Sequence, residues 1–333
     1  MPQAYSCNDW EVTEAEVETI NAEASVLMKR GIAFLEEPRR EAAIDALHCF
    51  DEALEMRRRI PLDHSPFQVY LLAACLFNRA DALVRMGDVG PIAAALTSYD
   101  EGIAALRQIP LGENPLFPRR LALGLQNRGL ALQARGREGD ADASAASFAD
   151  ALTVLDEPYS QNIEDLAYMR GVMWLNLANL RAMQESDDGH VAAREAAGHA
   201  LEAVARREAD DPNAAAAGLQ ARHVLCRVCA QGLSRAADNE AMPEDVHEAT
   251  DAVDDGLELI RSWEQRGVPF FRPLAYDLFR FGARVYARYQ PQFLDEFIAD
   301  NMNAAASSQD YVESPEMMMA AHEARLLIPR ENV

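Results

Sequence analysis

The stretches KRGIAFLEEPR (29–39), NRADALVRMGD (78–88) and NRGLALQARGR (127–137) repeat one pattern along the chain. A fourth copy reads NLANLRAMQES (176–186). The third residue of every copy is small, and successive copies are 49 residues apart: Gly31, Ala80, Gly129 and Ala178. An internal repeat of 20 to 50 residues is typical of proteins built from stacked supersecondary units. The spacing therefore predicts a repeat architecture.

A second marker keeps the same period. An aromatic residue followed three positions later by a small one occurs in FDEAL (50–54), YDEGI (99–103) and FADAL (148–152), and AGHAL (197–201) takes their place in the fourth copy. Residues three apart lie on one face of a helix. Each unit is therefore predicted to be a pair of helices: small residues on the first allow close approach, and the second carries the aromatic-and-small pattern.

The residues between these segments support the helix boundaries. Ser65 and Pro66 suit the N-cap and first turn of an opening helix. Gly87 and Gly136 stand where opening helices should end. Proline at 61, 110 and 158 closes the second helices at nearly constant spacing.

Beyond the fourth unit the period loosens. We expect a fifth helix pair at 214–236 and 246–266, a sixth at 273–289 and 292–302, and a short C-terminal helix beginning at Ser314-Pro315. The predicted organisation is an N-terminal segment (1–20), a repeat domain (21–302) and a C-terminal linker with a capping helix (303–333). Within the repeat domain, 21–209 is regular and 210–302 is looser, as terminal repeats often are.

Composition bounds the function. The chain has 333 residues and a net charge of −23, a field that repels phosphate backbones and argues against nucleic-acid binding. We expect no membrane insertion, because no stretch approaches the ~20 apolar residues of a spanning helix. The five cysteines do not suggest a disulfide framework, and the N-terminus does not read as a secretion signal. A cytoplasmic location is the simplest expectation.

These residues resemble the tetratricopeptide repeat family. Its small eighth position would fall on Gly31, Ala80, Gly129 and Ala178, and Asn-Arg-Gly-x-Ala is similar to the bacterial form of the motif. The resemblance covers about residues 20–205 and is loose to about 302. Two features depart from the family pattern: the unit has 49 residues rather than the usual 34, and Arg181 takes an apolar position of the fourth copy. The resemblance implies an all-α, right-handed solenoid of about six antiparallel helix pairs.

The family's concave groove implies a binding site. Asn78, Asn127 and Asn176, which we call the asparagine row, share one groove position, and some members of the family grip a peptide backbone with such amides. A primary amide can donate and accept at once, so it can pair with a peptide unit whatever its side chain. The alternative is that asparagine is simply a tolerated polar residue. By the same register, the neighbouring groove residues are Met28, Ile32, Phe77, Asp81, Gln126, Leu130, Leu175 and Asn179.

This mainly apolar set lacks the family's lysine and arginine clamp for a terminal carboxylate and favours an apolar or mixed ligand segment. An alternative occupant is the chain's own C-terminal helix through Met317, Met318 and Met319, because methionine adapts to irregular surfaces.

Arginines at 30, 79 and 128 recur with aspartates at 51, 100 and 150. An anion site is one interpretation. The favoured one is a repeated arginine–carboxylate pair that locks the two helices of a unit together.

His223, Cys226 and Cys229 form H-x-x-C-x-x-C, a hypothetical metal site. On a single helix three ligands could converge, but zinc normally takes four, and no second cysteine pair exists. Packing in the core is the favoured interpretation.

No catalytic motif is present: the chain lacks a phosphate loop, a G-x-S-x-G elbow and H-E-x-x-H. Carboxylate pairs such as Asp254-Asp255 are interpreted as solvated faces. We therefore expect no enzyme and no cofactor. The predicted function is an adaptor or scaffold that binds an extended or helical segment of another protein in the groove. The alternative is a regulatory sensor that takes a short peptide or small ligand there.

Overall fold

The computed structural model describes residues 12–160, 164–184, 186–235, 243–268, 272–306 and 315–327. Within these ranges the chain forms thirteen α-helices and no strand, and the helices pack in consecutive pairs. The chain divides into two compact units, residues 1–163 and 164–333. The prediction of an all-α helical repeat protein is confirmed.

The first unit contains three helix pairs: α1 (Glu14–Glu36) with α2 (Arg40–Arg57), α3 (Pro66–Met86) with α4 (Val89–Leu106), and α5 (Leu116–Arg135) with α6 (Asp140–Asp156). The opening helices are α1, α3 and α5. Each second helix of the first two pairs also packs against the next opening helix, which stacks the pairs within this unit.

The second unit contains α7 (Glu164–Ala182), α8 (Asp187–Val204), α9 (Pro212–Arg235), α10 (Pro243–Gln265), α11 (Arg272–Tyr289), α12 (Leu294–Ala306) and α13 (Pro315–Leu326). The pairs are α7 with α8, α9 with α10 and α11 with α12, and α13 packs mainly on α11. These bounds lie within two residues of the predicted starts of the fifth and sixth opening helices.

The helix ends in the first unit follow the sequence signals. The Ser65 hydroxyl accepts a hydrogen bond from the Gln68 amide at 3.3 Å, and Pro66 fills the first turn of α3. Gly87 and Gly136 end their helices with φ of 77° and 63°, a left-handed conformation that side chains disfavour. The predicted caps of α3 and α5 are therefore confirmed.

The small residues of the repeat are contact points inside each pair. A Cβ built on Gly129 would lie 2.6 Å from the ring of Phe148, and Gly31 faces the ring of Phe50 in the same way. Ala80 and Ala178, the equivalent residues of the other copies, are fully buried. In the two copies that have glycine, the small residue of the first helix and the aromatic residue of the second are thus the two sides of one contact.

The arginine–carboxylate pairs join different helix pairs from those predicted. Arg79 Nε lies 2.5 Å from Asp51 Oδ1 on the preceding pair, and its Nη1 donates to Ser98 of its own pair at 2.8 Å. Arg128 repeats this with Asp100 at 2.7 Å and Ser147 at 2.6 Å, all 49 residues later. The prediction that each arginine locks one unit with its own acid was wrong. A guanidinium has several donors, so it reaches the acid behind it and the hydroxyl of its own pair together. We call this bridge the arginine link.

Asp150, predicted to pair with Arg128, instead bonds Arg107 at 2.8 Å. This pair is the 49-residue copy of Arg58 with Glu101, which are 2.7 Å apart. A second series of ion pairs therefore follows the same period on the second helices.

One described helix, α3, is long and apolar enough by length and composition to cross a membrane, contrary to the sequence expectation. Just over half (56%) of its most apolar window is buried inside the protein. That burial is what a core helix shows.

The two ends of the chain differ from the predicted ranges. Helix α1 begins at Glu14, inside the predicted N-terminal segment, and α12 continues to Ala306, inside the predicted linker. Residues 307–314 lie outside the described residues. In α13, Met317 is buried with three alanines at helical spacing, whereas Met318 and Met319 are exposed. One methionine therefore packs in the C-terminal helix, and the other two face solvent.

Candidate functional site

The predicted groove residues of the first unit lie on the three opening helices. Asn78 and Asp81 are on α3, Gln126, Asn127 and Leu130 are on α5, and Met28 and Ile32 are on α1. Gln126 and both asparagines are half-buried, and Leu130 and Ile32 are exposed. This surface therefore combines the amide side chains of Asn78, Gln126 and Asn127 with the exposed apolar side chains of Leu130 and Ile32.

Asp81 is the centre of a hydrogen-bonded cluster on this surface. Its Oδ1 accepts from Asn127 Nδ2 at 3.1 Å and from the Tyr99 hydroxyl. Burial raises the pKa of the Asp81 carboxyl, and these two donors and the charge of Arg120 partly oppose that rise. Burial, and then the neighbouring Asp81 charge, raises the pKa of Tyr99. The cluster fixes the Asn127 amide on α5 to α3 and so holds it in one orientation.

Two residues near Asp81 were missed by the sequence reasoning. The Arg120 guanidinium stands 5.3 Å over the ring of Tyr70 and donates to its hydroxyl at 3.2 Å. The Tyr70 ring stacks on exposed Phe67, with centroids 5.4 Å apart. A signal was available, because Arg120 lies seven residues before Asn127 and hence on the same face of α5. Arginine and tyrosine are common anchors of protein interfaces.

Phe77 is a core residue, so the prediction that it lines the groove was wrong. Its side chain is 2% exposed because it fills the space left by two glycines, Gly102 on α4 and Gly124 on α5. A Cβ at Gly102 would lie 2.5 Å from the Phe77 ring. The ring therefore joins α3 to its two neighbours and is not available to a ligand.

Met28 is half-buried against α3. The Cys75 thiol donates to its sulfur at 3.3 Å, and burial raises the pKa of Cys75 to about 11, which keeps it a neutral thiol. Met28 is thus part of the contact between α1 and α3 at the edge of the surface.

The remaining predicted groove residues lie on α7, in the second unit. Leu175 is 4% exposed and belongs to the core of that unit, so the prediction that it lines the groove was wrong. Asn179 Nδ2 donates to the Leu175 carbonyl of its own helix at 3.2 Å. Asn176 Nδ2 is buried and has no hydrogen-bond partner in the part of the chain that the structure describes. Asn176 is therefore a predicted groove residue whose amide nitrogen keeps unused donors but is buried.

Cys226 and Cys229 are buried in α9, as the core interpretation predicts, and burial raises the pKa of Cys226. His223 is half-buried, and burial lowers its pKa. In the ranges that the structure describes, no three His, Cys, Asp or Glu side chains are grouped to hold a metal ion.

A cleft of about 630 Å³ between α10, α11 and α12 was also missed. It carries the carboxylates of Asp251, Asp254, Glu258, Glu296 and Asp300. The Tyr286 hydroxyl donates to Asp254 at 2.8 Å, and the rings of Tyr286 and Phe297 stack at 4.7 Å. Asp254, interpreted as a solvated carboxylate, is exposed but tied to α11. An acidic cleft with aromatic walls favours a cationic side chain.

Neither a model of a protein family nor a curated protein sequence matches this chain. Solved structures do match it in fold. The nuclear import adaptor Nro1 of S. pombe is 12% identical, with a TM-score of 0.59 over 92% of this chain and 99% of that one. A second structure, described as the hypoxic regulator of sterol synthesis Nro1, a nuclear import adaptor, is 13% identical, with a TM-score of 0.57 over 92% and 94%.

BtubC (BKLC) from P. vanneervenii is 17% identical, with a TM-score of 0.51 over 81% of this chain and 93% of that one. At these identities the likeness concerns the fold. All three support an all-α helical repeat architecture for this chain.

Proposed function

We propose that this chain is a tetratricopeptide-like adaptor without catalytic activity that binds a segment of a partner protein on the opening helices of its first unit. Asn78 and Asn127 contact the backbone of that segment, and the neighbouring Arg120, Tyr70 and Leu130 contact its side chains. An extended backbone offers a donor and an acceptor at each residue, which matches what primary amides offer.

The observation that carries this proposal is the state of the two amides. Asn127 is held in place by Asp81, which α4 orients through Tyr99. Asn78, at the same register on the adjacent opening helix, makes no side-chain hydrogen bond to any residue in the described ranges. The Asn127 amide is thus held in one orientation, and the Asn78 amide beside it has unused hydrogen-bond donors and an acceptor. Such preorganisation reduces the entropy that binding costs.

Two further features support the proposal. The chain shares its fold with Nro1, which is described as a nuclear import adaptor. Repeat proteins use the surface left by stacked helices to hold extended ligands. The net charge of −23 favours partners with basic segments, which it would attract over a distance.

The test is affinity capture from the native cell with the wild-type chain and with the double variant Asn78→Ala/Asn127→Ala, followed by mass spectrometry. The proposal expects at least one partner to be lost by the variant and to bind the purified wild-type chain directly. Truncating two hydrogen-bonding amides should weaken that direct binding by about tenfold or more.

A matched control is Gln108→Ala, which removes an exposed amide after α4, away from the asparagine row. Circular dichroism and melting temperature verify that all variants stay folded. A partner that binds the double variant as tightly as the wild type removes the asparagine row as the binding site.

A further inference from the structure

A pocket of about 260 Å³ lies between α9 and α11 in the second unit. It is lined by basic side chains from both helices: His223 and Arg227 of α9, and Arg280 and Arg284 of α11. Within each pair the residues are four apart, so they lie on one face of their helix and point to the same side. We call this cavity the arginine pocket.

The charge of the arginine pocket is opposite to that of the chain. Three guanidinium groups meet one carboxylate in the lining, that of Asp277. Among the residues that the structure describes, the one further acid paired with the lining is Glu323 of α13, 3.7 Å from Arg284, with both side chains about half exposed. An exposed pair at this distance is weak and screened by salt. A net positive pocket in a chain of charge −23 favours an anion.

Arg227 is the buried member of the set. Its Nε and Nη2 are buried, and neither donates a hydrogen bond to any residue that the structure describes. Burying a charged donor without an acceptor is costly. An anion in the pocket would offset this cost by supplying negative charge beside the guanidinium.

The remaining lining matches an organic phosphate. Burial lowers the pKa of His223, the charge of Asp277 opposes this and the charge of Arg227 adds to it, and an imidazole N–H can donate a hydrogen bond to an oxyanion. Phe281 supplies an apolar wall beside the arginines. The volume exceeds that of one phosphate group, so there is room for the carbon atoms that the phosphate is attached to.

We propose that the arginine pocket binds a phosphate monoester through Arg227, Arg280 and Arg284. Three guanidinium groups less the Asp277 carboxylate leave about two positive charges, and a phosphate monoester carries ~1.5 to 2 negative charges at pH 7. A carboxylate would neutralise only one of them. The planar forks of arginine also match phosphate oxygens in pairs. This site is independent of the proposed adaptor surface, since it lies in the other unit.

The test is calorimetric titration of the full-length chain in a phosphate-free buffer. The probes are O-phosphoserine, inorganic phosphate, unphosphorylated serine and a short phosphoserine peptide with its unphosphorylated form. We expect the phosphorylated probes to bind and serine and the unmodified peptide not to bind. A peptide that binds more tightly than O-phosphoserine assigns the ligand to a protein, and equal affinities assign it to a small phosphate ester; both results support the pocket.

Arg280→Gln and Arg284→Gln remove exposed guanidinium groups, so they test the pocket without disturbing the core. Each should weaken phosphoserine binding by about tenfold, the cost of a charged hydrogen bond. The matched control, Arg325→Gln, removes another half-exposed arginine of the same unit that pairs with Asp295, and should bind like the wild type. No heat of binding at ~10 mM phosphoserine, or equal binding by Arg280→Gln and Arg284→Gln, would overturn the proposal.

Discussion

Single residues set the 49-residue period because a glycine and an aromatic ring occupy complementary positions. Gly31 receives Phe50, and Gly129 receives Phe148. All four residues are buried, and the two rings are fully so. The distance between the helices of these pairs is therefore fixed by the absence of a methyl group on one side.

Gly129→Ala should destabilise the protein by about 1 to 2 kcal/mol, because overpacking a core costs more than the better helix propensity of alanine returns. The new Cβ would meet the Phe148 ring at 2.6 Å. The matched control is Gly198→Ala in α8, where a Cβ meets nothing within 4 Å, and there we expect stabilisation by up to about 1 kcal/mol. Urea unfolding measures both, and equal effects of the two substitutions would contradict the steric explanation.

Asp81→Asn should change how stability depends on pH. Burial raises the folded-state pKa of Asp81 above its ordinary value of 3.8, so the folded chain binds this proton more tightly than the unfolded chain. The contribution of Asp81 to the free energy of unfolding is therefore most favourable at pH values below its ordinary pKa. It is lost as the pH rises through the raised pKa of the folded state. Asparagine keeps an acceptor for Tyr99 and Asn127 without the charge.

The free energy of unfolding of Asp81→Asn relative to wild type should therefore increase between about pH 4 and pH 7. Thermal or urea unfolding at a series of pH values gives this difference. A difference that stays constant with pH, or falls, would show that burial does not dominate the titration of Asp81.

Sequence reasoning located the repeat contacts but misplaced some groove residues. Gly31, Ala80, Gly129 and Ala178 could be predicted because the same need for a small buried residue recurs in all four copies. Phe77 could not, because the register marks a position on α3 but not the size of the neighbours, and here Gly102 and Gly124 admit the ring into the core. Arg120 and Tyr70 were missed because neither recurs at the period.

Among the elements, the connection between α8 and α9 is held by a buried ion pair. Glu208 in this connection forms two bonds with Arg222 of α9, at 2.6 and 3.2 Å, and both side chains are about 90% buried. Trp263 of α10 donates to the Glu208 carbonyl at 3.0 Å. Gly218 leaves the space that the Glu208 carboxylate occupies. Three elements thus meet at one acid.

Glu208→Gln should lower the free energy of unfolding by about 3 kcal/mol, because it leaves the buried Arg222 charge without its counterion. Asp295→Asn is the control: it breaks the exposed pair with Arg325, which is 3.0 Å long, and should cost less than about 1 kcal/mol. Denaturant unfolding in low and high salt distinguishes them. A loss for Glu208→Gln no greater than that of the control would mean that the buried pair contributes little.

At the scale of the whole molecule, the chain consists of two compact units whose boundary the period does not reveal. The repeat markers continue at the same 49-residue spacing from Gly129 to Ala178, across the division at residues 163 and 164. The spacing therefore predicted the fold of each helix pair but not where the chain divides. The acidic cleft and the arginine pocket were equally hidden, since they lie where the period has loosened.

Each unit should fold without the other. Fragments 1–163 and 164–333 each contain stacked helix pairs with their own buried residues, and neighbouring pairs supply most of the stability of such arrays. Circular dichroism of the separate fragments should show high helicity and a cooperative thermal transition for each. Fragments that are unfolded alone and become helical only when mixed would contradict this prediction.

The arginine link has a consequence for how such a chain can change in length. Each guanidinium takes its acid from the copy before it and its hydroxyl from its own copy, always at the same register. If a block of 49 residues between Asp51 and Arg128 is duplicated or deleted, the new junction again brings a guanidinium to a carboxylate, whereas the fourth copy has Leu177 at the arginine position. A block of any other size leaves the guanidinium or the carboxylate at the junction without its partner, and of the two the arginine is the less exposed side chain. Recombination that adds or removes whole copies therefore keeps this salt bridge, whereas insertions or deletions of other lengths break it.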